Sequence, residues 1–574
     1  MGCRYRTRSL FVAFATALIV VMTVSSLSSG PTAGAQSPTT ASGYAPGPPL
    51  PSFDDASFDV LPGSTVSLHW YEGYGASGPS HIRFVLTSTL PRFSSTSVVQ
   101  WPSGTHPRPR WSGTSWITRS DAIKVKIPSN ARPGAQYSIN LDSCDSTNCS
   151  ILTQKALLTV PSQTNWVTRT YRSDFPQLST FHTPGSPFAT TFQSSDDSIW
   201  NASEFSHNLI EIKNGWKKAH NYGVVSPASA PSVFDAPFAN CNAGPCFSSS
   251  ESAMSEQVIS SDGVIWLTFG GWRRYEGTAY DPDPPNHSEV VAFDPTTKNF
   301  CTYLVPGNNN EVTGVASTGT APDSWVWFVE SRGDGDQPSL DGFNPSSPGL
   351  SCNGQSNQAF ELPESVRLLK WSSTGGQFPV QVVIDPSSPT IWLTDFYGAS
   401  VNGQTYNEID RIDISDPSKP TVARRYVFPS TNPASVIGGK PWDAVAPPNS
   451  NYVYFIDNGD NDIVRINKTT NQLNEVQIPM TSDFENGFGL SIFSGRLYFT
   501  LADDFTQSFG AASTFGYIDL SSWPDDSAPK DGVIYTGLSR VTDPKTRANY
   551  RAIAAGPTGQ IAITDQHQMI RLSP

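Results

Sequence analysis

The sequence predicts an all-β fold, a seven-bladed β-propeller preceded by a small β-sandwich. Two observations carry this prediction. A short strand pattern recurs along residues 162–574, and closely spaced short strands separated by turn residues fill residues 53–161. Strand-rich repeats of roughly 40–50 residues are typical of propeller blades, and short strands without helices are typical of a sandwich of about 100 residues.

The recurring pattern is a strand with an aromatic or apolar residue at its second position. Those positions are Trp200, Trp266, Trp327, Trp392, Tyr454, Tyr498 and Ala562. They lie roughly 44 to 66 residues apart, which is the size of a four-stranded blade with loop insertions. The pattern therefore predicts seven blades.

We call the strands that carry these seven positions the marked strands. Turns and strands of alternating polarity flank them. Turns such as residues 261–263 and 557–559 contain Gly, Pro, Asn or Ser, which accept the backbone angles of tight hairpins. Alternating segments such as Glu289–Asp294 and Asp462–Asn467 follow, as half-buried strands require. The last repeat lacks an outer strand, and we expect residues 166–171 to supply it and close the ring.

The first 35 residues have the pattern of a secretory signal. Arg4, Arg6 and Arg8 precede an apolar stretch at residues 10–24, and small residues at 33–35 suit a cleavage site. We expect an exported protein, secreted or on the cell-envelope exterior, and the alternative is an uncleaved anchor. Residues 36–52 are rich in Ser, Thr, Pro and Gly and predict a flexible linker.

The charge argues against nucleic acid as a partner. The formal net charge is −13, and loss of the three signal arginines makes it −16. Affinity for nucleic acid comes largely from basic contacts to phosphate, so this class of partner is not expected. We also expect no stable membrane span after the signal is removed, and a monomer.

Six cysteines follow the signal and occur in near pairs. The pairs are Cys144 with Cys149, Cys241 with Cys246, and Cys301 with Cys352. An even count in an exported chain predicts disulfides. A zinc site is the alternative, although the spacing lacks a histidine pair.

Residues 127–137, which run from Ile127-Pro128 through Pro133-Gly134 to Tyr137, resemble the turn and strand of immunoglobulin-like modules of exported bacterial proteins. This resemblance covers only residues 53–161, and it implies an immunoglobulin-like sandwich there.

The propeller repeats resemble those of the streptogramin B lyase (virginiamycin B lyase) family over roughly residues 165–574. Residues 391–395 with Asn407–Asp413, and residues 454–457 with 461–467, match the aromatic strand and the Ile-x-Arg-Ile-Asp strand of that family. The resemblance implies a metal-assisted elimination that opens a cyclic depsipeptide.

The family also implies a catalytic His at the start of the last inner strand and a Glu after the last aromatic strand. This chain has Asn549, Tyr550 and Arg551 at the first place and Asp565 at the second. Proton abstraction needs a well-placed base, and Tyr and Arg are poor bases at neutral pH. The departure favours binding over catalysis, and the catalytic residues are unknown.

Acidic residues directly follow four of the marked strands. They are Glu330, Asp395, Asp457 and Asp565. Ring symmetry would place them at one end of the channel, where carboxylates could hold Mg²⁺ or Ca²⁺. The alternative is that each carboxylate accepts hydrogen bonds from nearby amides.

A second set of residues predicts a ligand pocket at the channel mouth. The set joins residues at the starts of inner strands with residues of two long blade loops: Glu256, Trp272, Arg273, Tyr275, Glu311, Tyr397, Trp442, Asp443, Asn486 and Arg551. Mixed charge and aromatic side chains suit a small polar or sugar-like ligand. A solvated rim and structural cover loops are the alternatives.

Three functions are therefore compatible with the sequence. The first is a binding propeller for a small-molecule or glycan ligand or an extracellular protein, on its loop-rich face. The second is a metal-assisted lyase or lactonase-type enzyme. The third is an architectural envelope protein with both faces solvated.

Overall fold

The structure is a computed structural model that describes residues between 52 and 574. The residues outside the description are 1–51, 54–56, 72–82, 91–95, 101–109, 112–115, 118–119, 145–148, 163, 184–186, 194–195, 204–207, 214–218, 225–250, 273–287, 307–310, 319–323, 333–336, 352–357, 372–378, 396–399, 402–403, 406, 429–440, 459–460, 481–484, 504–513, 524–528, 539–549 and 566–567. The predicted signal segment and most of the linker lie among them. No helix in the described ranges combines the length and hydrophobicity needed to cross a bilayer.

Two sheets and a small hairpin form the N-terminal part. Its strands are β1 (Ser52–Phe53), β2 (Ser57–Asp59), β3 (Thr65–Tyr71), β4 (Arg83–Ser88), β5 (Thr96–Gln100), β6 (Arg110–Trp111), β7 (Trp116–Ile117), β8 (Ser120–Lys126), β9 (Gln136–Cys144) and β10 (Cys149–Thr159). The sheet orders are β1-β3-β8 and β2-β10-β9-β4-β5. Val66 and Leu68 from the first sheet pack with Ile139 and Leu158 from the second in one core, so the two sheets form a sandwich. Its immunoglobulin-like character stays a prediction.

Seven sheets follow in order along the chain. Two strands precede them, β11 (Asn165–Thr170) and β12 (Gln177–His182). Blade 1 has β13 (Pro187–Gln193), β14 (Ser198–Ser203), β15 (Asn208–Ile212) and β16 (His220–Val224). Blade 2 has β17 (Glu251–Ile259), β18 (Ile265–Trp272), β19 (Glu289–Asp294) and β20 (Asn299–Leu304). Blade 3 has β21 (Glu311–Thr318), β22 (Trp325–Arg332), β23 (Ser339–Phe343) and β25 (Arg367–Lys370), with β24 (Gln358–Glu361) inserted before its last strand.

The remaining blades repeat this antiparallel order. Blade 4 has β26 (Pro379–Asp385), β27 (Thr390–Asp395), β30 (Asn407–Asp413) and β31 (Thr421–Phe428), with the hairpin β28 (Ser400–Val401) and β29 (Gln404–Thr405) between them. Blade 5 has β32 (Pro441–Val445), β33 (Tyr452–Asp457), β34 (Asp462–Asn467) and β35 (Leu473–Gln477). Blade 6 has β36 (Glu485–Phe493), β37 (Arg496–Asp503), β38 (Thr514–Asp519) and β39 (Asp531–Thr536). Blade 7 has β40 (Ile553–Ala555), β41 (Ile561–Asp565) and β42 (Gln568–Ser573). The helices among the described residues are 3-10 turns at Tyr171–Ser173, Glu364–Val366 and Leu520–Ser522.

The inner strands of the seven blades form a closed ring. Each of β13, β17, β21, β26, β32, β36 and β40 lies beside the next, and β40 lies beside β13. This confirms the predicted all-β, seven-bladed propeller. The marked aromatic residues pack between blades: Trp266 of blade 2 lies in one core cluster with Val312 and Phe328 of blade 3, and Trp327 packs with Val382 of blade 4.

The predicted closing strand is wrong in its residues. Residues 166–171 do not complete blade 7. Instead β12 pairs antiparallel with β42 and supplies the fourth strand of that blade. The idea that a strand from before blade 1 closes the ring holds, but the donor lies further along the chain.

β11, which was expected to close blade 7, pairs parallel with β39 and forms a fifth strand on the outer edge of blade 6. A similar parallel fifth strand, β24, covers the outer edge of blade 2 by pairing with β20. Covered edges leave fewer backbone groups open to pairing with another chain.

The sandwich is attached to the propeller through a methionine of the connector after blade 5. Met480 is buried in the sandwich core, and its N–H donates to the carbonyl oxygen of Asp59 at 3.0 Å. Leu61, which follows β2 of the sandwich, packs with propeller residues that include Tyr454 and Ile478. The two parts therefore share apolar cores at the junction.

Candidate ligand-binding face

Each inner strand begins at the end of its sheet where the second strand finishes. Pro379 pairs with Asp395 in blade 4, and Pro441 pairs with Asp457 in blade 5. We call this end of the ring the upper face, and the opposite end the lower face. The predicted strand-end acids and the inner-strand starts therefore share the upper face.

Long connections between the second and third strands open on the upper face. They are 273–288 in blade 2, 396–406 in blade 4 and 504–513 in blade 6. The connections between the first and second strands of the same blades, on the lower face, are short: 260–264, 386–389 and 494–495. The strands that flank both loops singled out in the sequence therefore end on the upper face, while residues 273–287 and 396–399 lie outside the described part of the chain.

Asp443 ties three inner strands together. Its carboxylate accepts from the N–H of Ala444 at 2.7 Å, from the N–H of Leu490 in blade 6 at 2.7 Å, and from the Gln381 side chain of blade 4 at 3.5 Å. Burial raises the pKa of Asp443 to about 6, and these three hydrogen bonds oppose the rise. The residue predicted to bind ligand therefore also holds blades 4, 5 and 6 in register.

Trp442 is half-buried beside Asp443, and its ring lies against Phe488 of blade 6 with 5.1 Å between centroids. Its carbonyl oxygen accepts from the Thr394 hydroxyl of blade 4 at 3.2 Å. The backbone of Trp442 is thus fixed by a neighbouring blade, and its half-buried side chain packs against the core between blades 5 and 6. Such a rigid aromatic suits a binding surface.

Arg551 and Tyr550 lie just before the last inner strand. Tyr550 is fully buried in the core between blades 6 and 7, and Arg551 is buried as well. The backbone N–H of Arg551 donates to the carbonyl oxygen of Thr564 at 3.2 Å, and its carbonyl accepts from the Thr500 hydroxyl at 2.6 Å. The backbone of Arg551 therefore hydrogen-bonds to both blade 6 and blade 7 and links them.

The other predicted ligand residues are placed only in part. The backbones of Glu311 and Asn486 lie at the upper end of β21 and β36, and Trp272 is the last residue of β18. Glu256 lies within β17 at a bulge and is not its first residue, because β17 begins at Glu251. Three residues, Arg273, Tyr275 and Tyr397, lie outside the described residues.

The four strand-end acids are all buried; Asp395, Asp457 and Asp565 are the last residues of their second strands, and Glu330 lies two residues before the end of β22. Arg367 donates to both oxygens of Glu330, at 3.1 and 3.0 Å, and Gln568 donates to Asp565 at 3.1 Å. Within the described ranges, no group of three or more His, Cys, Asp or Glu side chains could hold a metal ion. Hydrogen bonds within the protein therefore satisfy the buried carboxylates of Glu330 and Asp565.

The cysteines bear on the disulfide prediction to different degrees. Cys144 and Cys149 lie directly opposite each other in the register of β9 and β10, a position that a disulfide could bridge. Cys301 is disulfide-bonded on β20, while Cys352 lies outside the described part of the chain. Cys241 and Cys246 also lie outside it, so the pairing scheme stays a prediction.

A threonine inside the marked strand has a role that the sequence reasoning missed. The Thr394 hydroxyl accepts from the N–H of Gln381 in its own blade at 3.1 Å and donates to Trp442 in the next. Thr500 repeats this between Gly489 and Arg551. The signal was present, because a Thr two places after the marked residue recurs in blades 2, 4, 6 and 7.

A second missed feature is a buried carboxyl pair in blade 4. Glu408 and Asp410 lie two residues apart on β30 and share Arg425, at 3.8 and 3.3 Å. Burial and then the Glu408 charge raise the pKa of Asp410 to about 7, against the opposing effect of Arg425. The alternation of β30 puts both acids on one face, and this could have been predicted.

No protein-family model and no curated protein matches this chain. Solved structures with similarity include YCF48 from Cyanidioschyzon merolae, at 9% identity and a TM-score of 0.39 over 69% of this chain and 98% of that chain. An auxiliary nutrient binding protein from Bacteroides thetaiotaomicron has 10% identity and a TM-score of 0.34, over 91% and 96%. The calcium-binding protein regucalcin from Agrobacterium tumefaciens has 14% identity and a TM-score of 0.31, over 55% and 83%. Likenesses this distant carry no argument about function, and the streptogramin B lyase resemblance stays an expectation.

Proposed function

We propose that this protein is an exported binding propeller that holds a small polar or carbohydrate-like ligand on its upper face. The observation that carries the proposal is the half-buried Trp442, held rigidly at the start of an inner strand on the face where the long connections of blades 2, 4 and 6 open. An aromatic ring fixed in this way offers a stacking surface to a sugar at a low entropic cost.

The polar surroundings of Trp442 support a binding role. The Asp443 carboxylate and the Thr394 hydroxyl are both used to fix the inner strands. They pre-organise the mouth of the channel, and pre-organisation raises affinity by lowering the cost of ordering on binding. Recognition would then come from Trp442.

Screening of purified protein against an array of oligosaccharides tests this proposal. For the sugars that bind, we expect Trp442→Ala to weaken binding at least about tenfold, the loss of one anchoring aromatic, while Trp442→Phe retains most of it. Lys419→Ala, on an exposed lower-face turn of blade 4, is the matched control and should bind as the wild type does.

Two outcomes would overturn the proposal. One is equal binding by Trp442→Ala and the wild type. The other is the absence of sugar binding together with capture of an extracellular protein, which would assign the upper face to a protein partner.

The alternative proposal is a metal-assisted lyase or lactonase-type enzyme. Its support is that Asp395, Asp457 and Asp565 end their second strands on the upper face, with Glu330 two residues before the end of β22. Thermal unfolding with EDTA, and with added MgCl₂ or CaCl₂, tests it, because an ion that binds only the folded state raises its Tm. A rise that Asp565→Ala abolishes would favour the enzyme, and an unchanged Tm would reject it.

A further inference from the structure

The β-sandwich is attached to the propeller on the upper face, near Trp442. Its contact point is Met480, in the connector that leads from β35 of blade 5 to β36 of blade 6. Because β36 begins on the upper face, this connector ends there. Leu61 of the sandwich and Trp442 of blade 5 also pack against the same apolar core, between blades 5 and 6. The attachment therefore lies on the face that carries the proposed ligand site.

Met480 is a propeller residue that completes the core of the sandwich. Its side chain is 2% exposed and belongs to the same apolar core as Val60 and Leu158. Its backbone N–H donates to the carbonyl oxygen of Asp59, the last residue of β2. Truncation of Met480 would leave a cavity in this core, and buried cavities weaken the packing around them. The position of the connector is therefore set by the docked sandwich.

Asn461 joins this connector to the inner strand of blade 6. It lies in the turn between β33 and β34, on the upper face, and is buried. Its side-chain Nδ2 donates to Sδ of Met480 at 3.0 Å, and its carbonyl oxygen accepts from the N–H of Ile478 at 2.9 Å. Its Oδ1 accepts from the N–H of Gly487 in β36 at 2.7 Å. One buried side chain therefore contacts both the methionine held by the sandwich and the inner strand.

The stretch of β36 around Gly487 depends on side chains for its position. The register between β36 and β37 shifts between Gly487 and Leu490, so the regular strand pairing is interrupted there. Asn458, from the same turn as Asn461, donates its Nδ2 to the carbonyl oxygen of Gly487 at 2.9 Å. The next residue, Phe488, has its ring against that of Trp442. A movement of Gly487 would therefore be passed to the support of Trp442.

We propose that the docked sandwich positions the ligand-binding mouth of the propeller, with Met480 and Asn461 as the positioning residues. The sandwich holds Met480, Met480 and its connector hold Asn461, and Asn461 holds the backbone of Gly487. This inference rests on the proposed binding role of the upper face. Coupling between two sites is reciprocal, so a ligand bound against Trp442 would also strengthen the attachment of the sandwich.

Hydrogen–deuterium exchange of the full chain, without any ligand, tests the link. We expect Met480→Ala, and Leu61→Ala from the sandwich side, to speed exchange in peptides covering residues 485–490 at least about tenfold, because local opening governs the exchange of such amides. Met480→Leu keeps the apolar volume and should restore most of the protection. Leu340→Ala is the matched control, because it removes a buried leucine from the core between blades 3 and 4. It should not speed exchange selectively in these peptides.

Exchange at the wild-type rate in residues 485–490 of the folded alanine variants would overturn the inference. An equal rise in Leu340→Ala would also overturn it, by reducing the effect to a loss of global stability. If both alanine variants fail to fold, the milder Leu61→Val decides in the same way, by a smaller selective rise or by none.

A second measurement uses the oligosaccharides whose binding requires Trp442. They should bind at least about threefold more weakly to Met480→Ala than to the wild type, and equally well to Lys419→Ala. Unchanged affinity in Met480→Ala would overturn the inference. A selective rise in exchange in a protein that binds no sugar would support the link between sandwich and mouth and reject the proposed function alone.

Discussion

Blades 4 and 5 have the same hydrophobic pattern but are joined to their neighbours differently. In blade 4, Thr394 links its own inner strand to that of blade 5 through one hydroxyl. Blade 5 has Ile456 at the equivalent position, fully buried and without a polar group. There, Asn461 and Asp443 bind the backbone N–H groups of blade 6 instead. The repeated aromatic residues thus determine the apolar packing between blades, while the hydrogen bonds between neighbouring blades differ from one blade pair to the next.

The seam after blade 5 also requires a glycine. A Cβ at Gly487 would lie 2.6 Å from Cγ1 of Ile456 and 3.0 Å from the carbonyl oxygen of Asp457. The close approach lets the Gly487 N–H reach Asn461 at 2.7 Å. In this seam, Ile456 stands where blade 4 has the Thr394 hydroxyl. The hydrogen bond to the next inner strand is made by the turn residue Asn461 instead.

The largest effect is expected for Asn461→Ala. The change leaves the buried N–H of Gly487 without its acceptor and puts Ala at a φ of +58°, where Asn is tolerated better. We expect a loss of about 2–4 kcal/mol in the free energy of unfolding, measured by urea denaturation. Asn461→Asp keeps the acceptor and should lose less, and equal losses would contradict this role.

A smaller effect is expected for Thr394→Val, which keeps the shape but removes the hydroxyl that joins blades 4 and 5. We expect a loss of about 1–3 kcal/mol in the free energy of unfolding, measured in urea, because the buried N–H of Gln381 and the partly buried carbonyl of Trp442 each lose this hydrogen bond. Thr394→Ser retains the hydroxyl and should lose clearly less. If Ile456→Thr stabilised the protein, the comparison between the two seams would fail.

The smallest effect is expected for Asp443→Asn, and it appears in the pH dependence. Because the folded-state pKa of Asp443 is raised to about 6, the wild type should lose stability as the pH rises from about 4 to about 6. The neutral variant should lack that decline. Tm measured at intervals across this range provides the check, and parallel curves would show that Asp443 titrates normally.

The sequence predicted well whatever depended on periodicity. The marked strands and the alternating strands that follow them, such as Asp462–Asn467, are recovered in the structure because apolar positions repeat with the strand period. The closing strand was misassigned because residues 166–171 and β12 are both short strands before blade 1, and local sequence does not determine which edge a strand joins.

The candidate site was less predictable. Asp443 was singled out from its position, but its hydrogen bonds to blades 4 and 6 depend on residues 62 and 47 positions away. The contacts of Glu408 and Asp410 with Arg425 likewise depend on the pairing of β30 with β31, which a strand pattern does not specify. Polar contacts at blade seams come from tertiary geometry, so single-sequence reasoning finds the residues but not their partners.

The pairing of β12 with β42 also affects how the ring forms. The two strands are separated by about 390 residues, so their pairing costs a large loop-closure entropy, and among the described strand pairings it has the longest sequence separation. The four main strands of each other blade are near each other along the chain, although the edge strand β11 pairs with β39 of blade 6 across 366 residues. We therefore expect blades 1 to 6 to form first as an open arc. Pairing of β12 with β42 would then be the late step that determines the folding rate.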